Sequence, residues 1–272
     1  MRSLSIPALL LPLCLLACKP AAAPSEPVSA SPSSAAAPAS AGGDASAAAA
    51  AIVAAEDRSA DDRAIDGQRK PAELLAFLDL KPGMRVAELV AGFGYTSELL
   101  ARAAGPTGQV YAQNNRFVLE RFAEKGWSER LAKPVMKSVV RVDRELDEPL
   151  PPEAKDLDAV VMVLFYHDTV WMKVDRARMN TAIFAALKPG GSFVIIDHSG
   201  RPGTGTSESQ TLHRIEAVVV RQELEAAGFR LAAEGDFLRH PEDPMDWNAS
   251  PKAAGEKRGE SDRFVYKFVK PA

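Results

Sequence analysis

Two histidine–aspartate pairs carry the densest chemistry in the sequence: His167-Asp168, within Phe165-Tyr166-His167-Asp168, and Asp197-His198, within Ile196-Asp197-His198-Ser199. An imidazole beside a carboxylate can act as a general base, with the carboxylate orienting the ring to take a proton from a substrate. Imidazoles with a carboxylate can instead hold zinc or iron. His167, His198 and His213, the last within Leu212-His213-Arg214, are the ligands for that reading. No His-x-x-x-His spacing marks such a site, so it depends on proximity in the fold. A third reading is structural, with the rings satisfying helix ends and loop carbonyls. The fourth histidine, His240, stands in Arg239-His240-Pro241 and reads as a loop residue.

A second chemistry-bearing stretch is VAELVAGFGYTSELLA, residues 86–101. A short apolar run contains the acidic Glu88, a turn follows at Gly92 and Gly94, and an amphipathic helical pattern begins near Thr96. Strand, glycine turn and helix together form the arrangement by which an α/β domain brings backbone close to a ligand.

The elements that must position these residues alternate. Strands are predicted over Arg85–Val90, Gln109–Gln113, Ser138–Asp143, Leu157–Phe165 and Ser192–Asp197. The fourth is a nearly continuous apolar run, as in a central parallel strand buried on both faces. Helices are predicted from Pro71 to about Asp79, over about Thr96–Ala104 and Asn115–Leu131, around Met179–Leu187, and in a segment opened by His213 and ending at Gly228. Arg214 and Glu216 read as solvated or capping. Two last strands, Phe229–Leu238 and Arg263–Val269, follow without a helix between them. The pattern predicts an α/β fold: a Rossmann-like, doubly wound, mostly parallel seven-stranded sheet with an antiparallel last strand. In such a sheet ligands bind beyond the carboxyl ends of the strands, where Glu88 and both histidine–aspartate pairs fall.

The 272 residues are 46% hydrophobic and 25% charged, with a formal net charge of -3, which gives no electrostatic case for a nucleic-acid partner. Residues 1–18 read as a targeting segment: Arg2, an apolar stretch from Leu9 to Leu16 too short to span a bilayer, and then Leu15-Leu16-Ala17-Cys18, which resembles a bacterial lipobox. The expected consequence is export and a membrane attachment only through a lipid on Cys18, on the periplasmic face of the envelope. Both cysteines, Cys14 and Cys18, lie in this segment, so the rest of the chain has no disulfide and no thiol nucleophile. Residues 19–57, rich in Ala, Ser and Pro, read as a tether with a possible helix over Ala47–Ala55, and residues 58–272 as one folded domain.

From about Pro71 to Phe268 the chain resembles the class I S-adenosylmethionine-dependent methyltransferases. The resemblance rests on Glu88 with Gly92 and Gly94, on the apolar strand Asp158–Phe165, and on Leu187-Lys188-Pro189-Gly190-Gly191 ahead of a strand. A less characterised branch of predicted methyltransferases shares the paired His and Asp residues after the later strands. The resemblance implies S-adenosylmethionine as cofactor, with Glu88 meeting its ammonium group, Gln113 and Asn114 its ribose, and Asp143 its adenine amino group. It also implies a small-molecule acceptor facing His167, Asp168, Asp197 and His198. Two positions depart from the family pattern: Val90 stands where a glycine is usual, and Gln113-Asn114 stand where an acid ends the second strand. The alternative from another class is a non-catalytic or metal-binding envelope protein on the same scaffold.

Overall fold

The computed structural model describes residues 41–272. The targeting segment and most of the expected tether lie outside the described residues. Seven strands form one sheet in the order β3-β2-β1-β4-β5-β7-β6. They are β1 (Arg85–Leu89), β2 (Gln109–Asn114), β3 (Val139–Asp143), β4 (Leu157–Val163), β5 (Leu187–His198), β6 (Arg230–Gly235) and β7 (Arg263–Val269). All are parallel except β7, which runs antiparallel between β5 and β6. The predicted fold class is therefore the observed one. Beyond the predicted strand, β5 takes in the Lys188–Gly191 turn, where the backbone pairs with Lys270 past the end of β7.

The period-2 geometry of strands sorts even the continuous apolar runs into two layers. On one face Ala87, Leu89, Val160, Met162, Phe193 and Ile195 pack with Met179 and Ile183 of α9 (Arg176–Ala186) and with Val220 and Leu224 of α10 (Ala217–Ala226). On the other, Val86, Ala159, Val161, Val194 and Ile196 pack against Leu74 and Leu78 of α4 (Pro71–Leu78) and Leu100 of α5 (Tyr95–Ala104). At the centre the order reverses, because β1 pairs with β2 on one side and β4 on the other. That reversal opens the crevice in which an open α/β sheet binds ligands.

Three elements differ from the sequence reading. The folded part begins before residue 58: α1 (Ala41–Val53) sets Ala49 into a buried cluster with Leu75, Leu99 and Ala103, where the small alanine side chain lets the helix approach closely. Two short helices, α2 (Ala60–Ala64) and α3 (Asp66–Arg69), then lead into α4. The helix expected over Asn115–Leu131 is broken into α6 (Arg116–Val118), a π-helical turn at Leu119–Ala123 and α7 (Glu124–Leu131). Such π turns cluster at functional sites. The helix expected to open at His213 starts later, at Ala217. α8 (Asp168–Trp171) is a single turn, and no helix among the described residues is long and apolar enough to cross a membrane.

The turn after β1 uses its glycines differently. Gly94 has φ 81°, and a Cβ there would lie 2.4 Å from the Trp127 ring; Gly92 has φ 57° with open space around its Cβ position. We expect Gly94→Ala to lower stability by about 3–5 kcal/mol, from overpacking plus a left-handed backbone. Gly92→Ala is expected to cost only about 1–2 kcal/mol, from the backbone alone. Chemical denaturation of the two variants checks the difference.

Candidate active site

The turn between β1 and α5 is held by two buried amides at the end of β2. Gln113 Oε1 accepts from the Val90 N–H at 3.0 Å, and its Nε2 donates to the Arg144 carbonyl at 2.5 Å. Asn114 Oδ1 accepts from the Gly92 N–H at 2.8 Å, and its Nδ2 donates to the Gly92 carbonyl at 3.1 Å. Both residues are 0% exposed. The two departures from the family pattern thus touch. Val90 takes the left-handed φ of 56° that glycine would adopt freely, and Gln113 fixes its N–H. An amide can donate and accept at once; a carboxylate in its place could not donate to a carbonyl. From the opposite side, Arg130 Nε donates to the Phe93 carbonyl at 2.6 Å, while its other nitrogens join Asp62 of α2 at 2.7 Å and Glu98 of α5 at 2.6 Å.

Three residues expected to meet a ligand have their side-chain polar atoms engaged within the protein. Those of Gln113 and Asn114 are taken up by backbone. Asp143 is exposed and paired with Arg141 at 2.9 Å. The N–H groups of Val90 and Gly92 are occupied, so the turn offers close approach more than free donors. Asn115, one residue past the predicted pair, has a buried Nδ2 with no partner among the described residues. Its neighbours Phe117 and Val118 line the larger cavity.

Two cavities meet at Val90, Gly92, Phe93 and Val163. The first, about 620 Å³, is lined by Glu88, the turn, residues of α2 and α3, and Arg258. Glu88 is 3% exposed, accepts a hydrogen bond from Ser97, and forms no ion pair among the described residues. Burial lifts its carboxyl to about 7, against hydrogen bonds from Ser97 and Thr96. Arg69, absent from the sequence reading, lines both cavities and also forms no ion pair among the described residues. Burial, as the largest influence, holds its guanidinium below the ordinary value. Only its place at the end of a four-residue helix sets Arg69 apart, and no sequence signal marks that.

The second cavity, about 940 Å³, is walled by Phe93, Phe117, Phe122, Phe165 and Trp171, with His167, Asp168, His198 and His213 at its polar end. Asp197, 0% exposed at the end of β5, is the hub of that end. Its carboxylate accepts from the His167 backbone N–H at 2.7 Å and the His198 backbone N–H at 2.8 Å, and lies 2.7 Å from His167 Nδ1. His167 Nε2 is therefore turned toward Asp168 Oδ1 at 3.1 Å and His213 Nδ1 at 3.2 Å. Burial opposes charge on His167, but Asp197 and Asp168 outweigh it and raise the ring to about 10. His198 differs: burial first, then the charge on His167, lowers it well below its usual value, and its Nδ1 meets Ser261 Oγ at 2.8 Å.

His213 reaches the cluster because the chain from 213 to 215 runs beside the end of β5, with Ile215 N–H on the His198 carbonyl and Gly200 N–H on the Ile215 carbonyl. The next residue, Arg214, is fully buried and not solvated. It pairs with Asp243 at 2.8 Å and caps the Ser199 carbonyl at 3.0 Å, locking this segment against the loop before β7.

No protein-family model matches the sequence, and no curated protein matches it either. Among solved structures, the chain is similar to a SAM dependent methyltransferase from Aquifex aeolicus, at 20% identity and a TM-score of 0.53, covering 75% of this chain and 92% of that one. It is similar to a protein from Galdieria sulphuraria assigned as a sarcosine dimethylglycine methyltransferase, at 18% identity and a TM-score of 0.52, covering 76% and 86%. It is also similar to the [4+2]-cyclase SpnF, at 17% identity and a TM-score of 0.52, covering 75% and 86%. A cyclase among these neighbours shows that the scaffold alone does not decide the reaction.

Two measurements check the site. Gln113→Glu is expected to destabilise the fold by about 1–3 kcal/mol, since it sets a carboxylate against the Arg144 carbonyl. Glu88→Gln tests the linkage. A carboxyl raised from its ordinary 4.5 to about 7 binds more protons folded than unfolded between those values, so native stability falls as pH rises from 4.5 to 7 and stays reduced above it. Glu88→Gln should therefore stabilise the protein at pH 8 by a few kcal/mol, in order of magnitude, and leave it little changed at pH 4. Denaturation midpoints at the two pH values decide this. The chain has the Rossmann-like fold of the methyltransferases and the cyclase to which it is similar.

Proposed function

We propose that this protein is an S-adenosylmethionine-dependent methyltransferase acting on a small-molecule acceptor. One observation carries the reading: at the crevice of a methyltransferase-type sheet, a cavity holding an unpaired buried carboxylate and an unpaired guanidinium opens directly into an apolar cavity with a polar end. The residues present fit the cofactor. Its amino-acid end is a zwitterion, and Glu88 and Arg69 are the complementary charges, Glu88 buried and Arg69 partly buried, neither with an ion-pair partner among the described residues. An ammonium group beside Glu88 would offset the burial that lifts its carboxyl. The unpartnered Nδ2 of Asn115 offers a donor near the end of β2, where the amides Gln113 and Asn114 are already used.

When bound, S-adenosylmethionine supplies an electrophilic methyl group on a sulfonium centre. The work left to the chain is alignment and exclusion of water. The turn, clamped by Gln113, Asn114 and Arg130, sets a rigid floor between the two cavities. Phe93, Phe117, Phe122, Phe165 and Trp171 make a dry wall for the acceptor, and the cluster around His167 meets its polar group. Phe93 and Phe122 are 53% and 61% exposed, an apolar mouth of the kind that marks a binding site. The Leu15-Leu16-Ala17-Cys18 signal supports placing this activity in the cell envelope, anchored by a lipid on Cys18.

Isothermal titration with S-adenosylmethionine and with its demethylated product tests the proposal. The expected result is saturable binding of both. Arg69→Ala should weaken it at least about tenfold, roughly 1.4 kcal/mol, with little change in unfolding midpoint. Absence of binding at millimolar ligand would refute the reading.

A further inference from the structure

Three donor atoms at the polar end of the apolar cavity form a nearly equilateral triangle. His167 Nε2 and His213 Nδ1 are 3.2 Å apart, His167 Nε2 and Asp168 Oδ1 3.1 Å, and His213 Nδ1 and Asp168 Oδ1 3.0 Å. All three residues line the cavity. We propose that His167 Nε2, His213 Nδ1 and Asp168 Oδ1 form one face of a binding site for a divalent first-row transition-metal ion, open toward the apolar cavity. Expected proximity in the fold grouped His167, His198 and His213 with a carboxylate. In the structure Asp168 supplies the carboxylate, and His198 stands outside the triangle with its Nδ1 on Ser261 Oγ at 2.8 Å.

Three features support the site independently. The triangle has the size of one octahedral face: donor atoms at about 2.2 Å from an ion lie about 3.1 Å apart. The supporting shell is built, since Asp197 holds His167 Nδ1 at 2.7 Å and Trp171 Nε1 donates to Asp168 Oδ1 at 2.7 Å. A buried carboxylate on the far nitrogen is the usual orienting partner of a metal-bound histidine. Finally, His213 holds a left-handed backbone, φ 51°, with the Arg214–Asp243 pair anchoring the next residue. Strain of this kind persists where surrounding structure enforces it.

The donor set selects the ion. Two imidazoles and one carboxylate suit Zn²⁺, Fe²⁺ or Co²⁺, whereas Mg²⁺ and Ca²⁺ prefer oxygen alone. Positions on the cavity side stay free of protein ligands, so a water or an acceptor's hydroxyl or carboxylate oxygen could complete the shell. There the ion would lower the pKa of a bound hydroxyl. If the methyltransferase reading holds, the acceptor is an oxygen-bearing small molecule with an apolar body; the metal site itself does not depend on that reading.

The test needs no cofactor. The purified full chain, stripped with chelator, is dialysed against Co²⁺, Zn²⁺ or Mg²⁺. One equivalent of Co²⁺ or Zn²⁺ should bind at micromolar concentration or below, and no Mg²⁺ at that concentration. Bound Co²⁺ should broaden or shift the ring-proton resonances of His167 and His213, which locates the ion without any variant. Asp168→Asn and His213→Ala should weaken Co²⁺ binding at least about 100-fold, and the positioning variant Asp197→Asn about 10–100-fold. His240→Ala should leave it unchanged. Failure of the wild-type chain to take up Co²⁺ or Zn²⁺, or wild-type affinity in folded Asp168→Asn and His213→Ala, would overturn the proposal. Loss of S-adenosylmethionine binding with metal binding intact would overturn only the function proposed above.

Discussion

The structure depends most on how the turn after β1 is held. Four hydrogen bonds from Gln113 and Asn114 fix the backbone at Val90 and Gly92 and tie β2 to Arg144. With no solvent reaching these amides, each bond left unmade would cost about 1–3 kcal/mol, far more than it contributes net when made. The clamp therefore specifies one geometry for the turn. It also explains why an amide replaces an acid at the end of β2 and why a valine can stand in a glycine's place. The Arg130 contact from α7 completes the clamp and, through Asp62, pins α2 across the first cavity.

A second hub, Asp197, does for the strand ends β4 and β5 what the amides do for β1 and β2. Its carboxylate accepts two backbone N–H groups and faces an imidazole nitrogen, which fixes the loop after β4 and the direction of the His167 ring together. The two hubs use opposite chemistry for a reason. The amides must donate to carbonyls, so they have to be neutral. Asp197 meets only N–H groups, so a full negative charge suits it and is satisfied without solvent.

Much of this was legible in the sequence, and the limits are physical. Apolar runs such as Leu157–Val163 and the glycine-terminated helices specified the sheet, because burial on both faces leaves little room for polar residues. The conjunction of His167 with Asp197 was accessible because one follows the fourth strand and the other ends the predicted fifth, and those strands are neighbours in the sheet. What escaped the sequence reading was the partner of each polar side chain. Gln113 and Asn114 bond to backbone at Val90, Gly92 and Arg144. Asp143 finds Arg141 two residues away on its own strand. Arg214 is buried because Asp243, far along the chain, neutralises it. Arg69 acquires its place only through the packing of short helices that carry weak periodicity. Composition registers none of these pairings, since each depends on loops whose paths no local pattern specifies.

The location of backbone strain ties the site together. Val90, Leu164 and His213 all adopt φ between 51° and 56°, and all three line the larger cavity. Left-handed backbone costs such residues about 1–3 kcal/mol each, and valine suffers most because its branched Cβ crowds the carbonyl. Each is held by a specific bond: Val90 by Gln113, Leu164 by the Ile196 carbonyl at 2.7 Å, and the residues after His213 by the end of β5. Other left-handed residues, such as Lys70 and Asp79, end or begin helices, where the conformation is ordinary. Strain at the cavity wall and the buried, unpaired carboxylate of Glu88 both reduce the stability of the chain alone. A ligand that pairs the charges would recover part of that energy, so the same residues that weaken the fold are those that can discriminate what enters it.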